Sequence, residues 1–129
     1  MVVGISFFAT TERAKADYMS VGLEYAEYAY YFAQAASNEC GDTAYYGGYA
    51  AEFAGYGFAF AYYAAAFESD GDLYDEYSYG AYAAELLYYS YLYAMDGFNE
   101  TGDYNLYITA LCSYYAAVYI EAAISPSSS

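Results

Sequence analysis

The sequence predicts an all-α protein: an antiparallel up-down bundle of four long helices with an apolar N-terminal arm. Three observations carry that expectation. Apolar residues recur at alternating steps of three and four, the spacing of helices packed side by side. Alanine, the strongest helix former, is abundant, and the single proline, Pro126, lies near the end of the chain. Three Gly-Asp pairs, Gly41-Asp42, Gly71-Asp72 and Gly102-Asp103, divide the chain into segments of similar length. Glycine accommodates the left-handed residue that ends a helix, and aspartate caps the next one. Tyrosine and phenylalanine favour strands in isolation, but the three-four spacing and the alanines outweigh them. The period near 31 residues also suits a helical-repeat array. Such repeats are usually pairs of short helices, whereas each unit here reads as one long helix. Residues 1–129 are read as a single domain, long enough to bury a core.

Residues 1–10 form the arm, apolar from Val2 to Phe8 and expected to pack on the bundle or on a neighbour. The first sixteen residues imitate a signal peptide only loosely, because no basic segment precedes the apolar run. An extracellular or cell-surface location is the favoured setting, without a convincing export signal.

The first helix is expected from Thr10 or Thr11, either of which can cap it, to Ser37. Its expected seam is Tyr18, Val21, Tyr25, Tyr28, Phe32 and Ala35, with a stripe of small residues, Gly22, Ala29 and Ala36, beside it. The second helix, Thr43 to Phe67, has an aromatic residue at every expected seam position: Tyr46, Tyr49, Phe53, Tyr56, Phe60, Tyr63 and Phe67. Ala50, Gly57 and Ala64 repeat the small stripe. The third helix, Leu73 to Met95, has one seam at Tyr79, Tyr82, Leu86, Tyr89 and Tyr93, and a second apolar stripe beginning at Tyr77. The fourth, Asp103 to Ile124, is seamed by Tyr104, Ile108, Leu111, Tyr115, Val118 and Ala122. A Ser-rich tail, 125–129, follows.

Composition excludes several functions. The chain has 17 acidic residues against two cations, Arg13 and Lys15, and a net charge of −15. Direct binding of nucleic acid through phosphates needs clustered cations and is ruled out. A basic protein partner, bound cations or imitation of a polyanion remain compatible. No histidine is present, and the two cysteines, Cys40 and Cys112, are too few for a disulfide scaffold or a zinc site. No catalytic motif is visible: no Ser-His-Asp or Cys-His pair, no phosphate loop, no dinucleotide fingerprint. The chain is read as no enzyme.

Three weaker signals concern ions and modification. Glu27, Glu52 and Glu85 are expected at one level of the bundle, where carboxylates begin a di-metal site; their positions beside the seams favour solvent instead. The run Glu68, Asp70, Asp72 and Asp75 alternates carboxylates in a way that suits loosely bound calcium, although it departs from the EF-hand pattern. Asn99-Glu100-Thr101 is a glycosylation sequon, placed on an expected loop and relevant only to an exported chain.

The largest signal is tyrosine, 24 residues in all. Tyrosine is a preferred interface residue, stiff and apolar in body and polar at its tip. The face of the second helix opposite its aromatic seam, Gly48, Ala51, Gly55, Phe58, Tyr62 and Ala65, carries no charge and is expected to contact another subunit. Tyr77, Tyr88 and Tyr91 of the third helix join it as expected contact residues. The leading expectation is therefore a non-enzymatic structural subunit that assembles with copies of itself as a filament or closed oligomer. One alternative is a small acidic protein that occupies a basic nucleic-acid-binding groove of a partner. A second is a four-helix membrane bundle, which central Glu and Tyr, scarce basic residues and a mean hydropathy of +0.08 disfavour.

Overall fold

The computed structural model describes residues 12–125, with side chains from Ala14 onward. Four helices, α1 (Glu12–Ser37), α2 (Gly41–Ser69), α3 (Leu73–Thr101) and α4 (Tyr104–Ile124), make up the described chain. Each packs on the next, and α4 closes back on α1. The connections are too short to do anything but reverse direction, so neighbours run antiparallel in an up-down bundle. The arm, the capping threonines and the tail beyond Ser125 lie outside the described residues.

The expected breaks fall where glycine permits them. Gly41, Gly71 and Gly102 all take positive φ. At the end of α2, the amide of Asp72 donates to the carbonyl of Phe67 across Gly71, satisfying carbonyls that the helix leaves open. Asp72 and Asp103 then cap α3 and α4, accepting from the amides of Asp75 and Leu106 at 3.1 Å each. The first pair differs. Cys40 stands at the N-cap of α2 and makes no side-chain bond, while Asp42 lies inside the first turn. The third helix also runs past Met95 to Thr101, so the Asp96–Thr101 stretch is helical rather than loop.

The core is built from a different stripe than the seams read from sequence. In α2 the buried residues are Gly47, Ala50, Ala51, Ala54, Gly57, Ala61 and Ala64. Apart from Ala51, they sit one position C-terminal to the expected aromatic seam. The same offset recurs in α1, where Met19, Gly22, Ala26, Ala29, Ala33 and Ala36 are buried in place of Tyr18 through Ala35. In α3, Gly80, Ala83, Leu87, Ser90 and Ala94 are buried and Tyr79, Tyr82, Tyr89 and Tyr93 are not, while Leu86 of the expected seam is buried as well. In α4, Thr109, Ala116 and Ala123 are buried in place of Ile108 and Tyr115, while Val118 and Ala122 of the expected seam are buried as well. The expected α2 seam tyrosines Tyr49, Tyr56 and Tyr63 are instead exposed.

The physical reason is helix separation. Seams of glycine and alanine bring backbones together more closely than the usual 8–10 Å spacing of helices with larger side chains. A methyl built on Gly47 would lie 2.5 Å from the amide nitrogen of Ser37, so the α1–α2 crossing leaves no room for a ring. Aromatic side chains flanking such a seam lie over the grooves, ring edges covered and hydroxyls in water. Small residues also lose almost no side-chain entropy on burial, which suits them to a dense interior.

Polar ties fix the register. Near the middle, buried Ser90 donates from Oγ to the Ala50 carbonyl at 3.0 Å and lies 2.9 Å from Ser113 Oγ. With its single proton committed to Ala50, Ser90 accepts the proton of Ser113, which joins α2, α3 and α4. At one end, Tyr46 of α2 donates to Glu100 of α3, and Asn105 of α4 donates to Glu39 in the α1–α2 turn.

Candidate interaction surface

The rings displaced from the core form arrays along two grooves of the bundle, the first of them in two separate clusters. Along the α2–α3 groove, Tyr45 meets Tyr49, which stacks on Tyr93 with centroids 5.0 Å apart, and Tyr93 stacks on Phe53. Farther along the groove, Phe60 contacts Tyr82 and stacks on Tyr79, which in turn stacks on Phe67. The second array climbs the α1–α4 groove through Tyr18, Tyr119, Tyr25 and Tyr115. It then crosses α4 at Tyr114 to reach Tyr88 and Tyr91 of α3. Offset and tilted ring pairs of this kind each contribute about 0.5–1.5 kcal/mol beyond the area they bury.

These arrays leave much aromatic surface in water. Tyr62 is 61% exposed, Tyr56 58% and Tyr45 56%, all on α2. Between Asp42 and Glu68 this helix carries one charged residue, Glu52. Carboxylates are exposed on every other helix, including Asp17, Glu24 and Glu27 of α1 and Glu121 of α4. Lys15 is the one cation among the described side chains, and it is buried.

The expected contact residues separate into two groups. Gly48, Ala51, Gly55, Phe58, Tyr62 and Ala65 share the side of α2 toward α1. Gly48 is open, with nothing within 4 Å of a built Cβ. Ala51 belongs to the buried cluster that includes Ala33 and Ala110 and also lines the groove on this side of the helix. Gly55 is covered by the Tyr30 ring, 3.0 Å from a built Cβ. Phe58 and Ala65 are half-buried against the core, and Tyr62 projects beside Phe58. A shallow groove of about 410 Å3 runs here, lined by Tyr30, Gly55, Tyr56 and Phe58 among others. Tyr77, Tyr88 and Tyr91 lie on the opposite side of the bundle, on the part of α3 that faces α4. Tyr77 is 58% exposed, while Tyr88 is half-buried and donates to Glu121 Oε1 at 2.8 Å. Burial first, and then the bond to the Glu121 carboxylate, hold the Tyr88 phenol well above its ordinary range.

The ion and modification signals resolve differently. Glu68 sits in the last turn of α2, Asp70 follows it, and Asp72 caps α3 toward Asp75. Among the described residues no group of three or more Asp, Glu or Cys converges as metal ligands, Glu68, Asp70, Asp72 and Asp75 included. The Asp75 carboxyl is held above its ordinary value, chiefly by its hydrogen bond to Asp72. Helix capping accounts for Asp72 in this run. Glu27, Glu52 and Glu85 are all exposed and reach solvent. Asn99 is exposed in the last turn of α3, a helical position and not the expected loop. Cys40 and Cys112 are free thiols. Among the described residues α4 alone is long and apolar enough to cross a membrane, and half of its most apolar stretch is buried within the bundle.

Tyr56 and Tyr63 are surface residues that sequence reasoning assigned to the interior. The available signal was the small-residue stripe one position away, at Gly57 and Ala64. Comparison of the chain with protein-family models, with curated proteins and with solved structures finds no match.

Proposed function

We propose that this protein is a non-enzymatic structural subunit that assembles with copies of itself through the tyrosine-rich outer side of α2. One observation carries the reading: a chain of charge −15 keeps a single charged residue, Glu52, along 25 residues of α2 that expose Tyr45, Tyr49, Tyr56, Tyr62 and Tyr63. Exposed aromatic surface this poor in charge suits an interaction site. The flank of α2 toward α1 adds the projecting Tyr62 ring and the shallow groove beside Tyr30, which Tyr56 and Glu52 also line. Knob and hole on one surface suit a contact between identical copies. Such a contact leaves Glu121 of α4 in the α3–α4 cleft and brings Glu52 to the interface, where salt screens repulsion beyond about 8–10 Å.

The sign of the salt effect tests this reading. Self-assembly between like-charged copies strengthens as salt rises. Occupation of a basic groove, the reading favoured by the absence of an exposed cation among the described side chains, weakens as salt rises. Light scattering and negative-stain imaging of detergent-free protein should find oligomers or filaments that grow between low and physiological salt. Tyr62→Glu and Tyr56→Glu should abolish them and leave helical circular dichroism intact. A wild-type protein that stays monomeric at high concentration and physiological salt overturns the proposal.

A further inference from the structure

A cleft larger than the α2 groove lies between the N-terminal half of α3 and the C-terminal end of α4. It encloses about 700 Å3, within the range of small-molecule sites. Next to it, Gly80 lets the α3 backbone approach Ile124, one of the lining residues, so closely that a built Cβ would lie 2.5 Å from Ile124 Cγ2. The floor is apolar, formed by Ala81, Ala84, Val118 and Ile124. Aromatic rings of Tyr77, Tyr88 and Tyr89 stand around it. Two exposed carboxylates, Glu85 and Glu121, and Ser125 also line it, and Lys15, the one cation among the described side chains, does not. Glu121 is positioned by the Tyr88 hydroxyl, which donates to its Oε1 at 2.8 Å.

We propose that this cleft binds a small organic ammonium ion with an aromatic or alicyclic body. The chemistry follows from the lining. Carboxylates on the rim repel anions and attract a cation. Tyrosine faces attract the same cation through their ring quadrupoles. An apolar floor of alanine, valine and isoleucine returns free energy only to a ligand that has apolar surface to bury. A bare metal ion lacks that surface, and no trio of ligands converges on one here. A neutral hydrocarbon leaves the carboxylates unanswered. The site is separate from the α2 face and does not depend on the assembly proposed for it.

The experiment is calorimetric titration of the full chain with 2-phenylethylammonium chloride. Its comparators are 2-phenylethanol, which replaces the ammonium by a hydroxyl, and Nα-acetyl-lysine amide, which keeps the ammonium and lacks the ring. The ammonium ion should bind with a Kd below about 1 mM, and both comparators should bind about tenfold more weakly or less. The double variant Glu85→Gln/Glu121→Gln should weaken binding about tenfold, while Glu24→Gln/Glu27→Gln on α1 should change it less than about twofold. Ala81→Phe, which fills the cleft from a half-buried position, should abolish binding with the helical signal retained. Equal weakening by the α1 pair means that amines merely gather on an acidic surface, and overturns the proposal. So does equal affinity for either comparator, or full binding by Ala81→Phe.

Discussion

Gly47 and Gly48 are adjacent in one helix, and adding the same methyl group to each should move stability in opposite directions. Both have ordinary helical backbone, since the positive-φ glycines are Gly41, Gly71 and Gly102. On propensity alone each Gly→Ala change gains about 0.8–1 kcal/mol. At Gly48 nothing lies within 4 Å of the new carbon, so the gain is kept. At Gly47 the new carbon meets Ser37 N at 2.5 Å, Ala36 C at 2.7 Å and Ala36 Cβ at 2.8 Å. Two of these atoms are backbone and none can swing aside, so α1 and α2 must move apart. Overpacking costs up to about 3 kcal/mol, at the top of its usual range when the obstacle is backbone. Set against about 1 kcal/mol of propensity, Gly47→Ala loses about 2 kcal/mol. The two variants therefore differ by about 3 kcal/mol, roughly 6–15 °C in Tm for a domain of this size. Urea unfolding followed by circular dichroism, at a protein concentration where wild type and variants share one assembly state, measures the difference. A Gly47→Ala variant as stable as wild type would refute the close crossing, and a destabilised Gly48→Ala would refute the open outer face.

Three further outcomes follow from named contacts. Ser90→Ala should cost about 1–3 kcal/mol because it strips the buried Ser113 hydroxyl of its partner; the double variant Ser90→Ala/Ser113→Ala should be less destabilised than Ser90→Ala alone, and an additive result contradicts the shared bond. Asp72→Ala and Asp103→Ala should each cost about 1 kcal/mol as lost caps, whereas Asp42→Ala, which makes no cap, should cost clearly less by the same denaturation assay. The Tyr46 phenol is pushed up to about 12, first by its hydrogen bond to Glu100. Because the fold favours the neutral phenol, this contribution is complete below about pH 10 and is lost as pH rises through about 12. Unfolding midpoints between pH 8 and 12 should therefore fall less steeply in Tyr46→Phe than in wild type, and parallel curves would count against the bond.

Much of the fold was legible because local chemistry decides it. Gly71-Asp72 and Gly102-Asp103 announce a left-handed helix end followed by a cap, and both do this in the structure. The Gly41-Asp42 pair was legible as a break but not in detail, since a cysteine takes the cap position there. The extension of α3 through Asn99 to Thr101 was missed because Asp, Gly and Asn between Asp96 and Asn99 read as loop residues, while Gly97 is in fact buried where Tyr46 and Leu106 crowd it. The candidate surface was half legible. Tyr62 and Gly48 could be placed outside from the uncharged face of the second helix. Tyr88 could not be assigned to a bond with Glu121, because the cleft between α3 and α4 joins residues 33 apart in sequence.

The sequence by itself determined four helices, their order, their breaks and a three-four repeat along each. It did not determine which of two repeats faces inward. In α2 the aromatic stripe Tyr46–Tyr49–Phe53–Tyr56–Phe60–Tyr63 and the small stripe Gly47–Ala50–Ala54–Gly57–Ala61–Ala64 have the same spacing, one residue apart. Periodicity is blind to that shift, and hydrophobicity favours the wrong stripe. Only the tertiary structure decides, because the choice rests on the distance between helix backbones. Once glycine and alanine let the helices close, the seam has no volume left for rings, and the tyrosines are driven to the grooves and the surface.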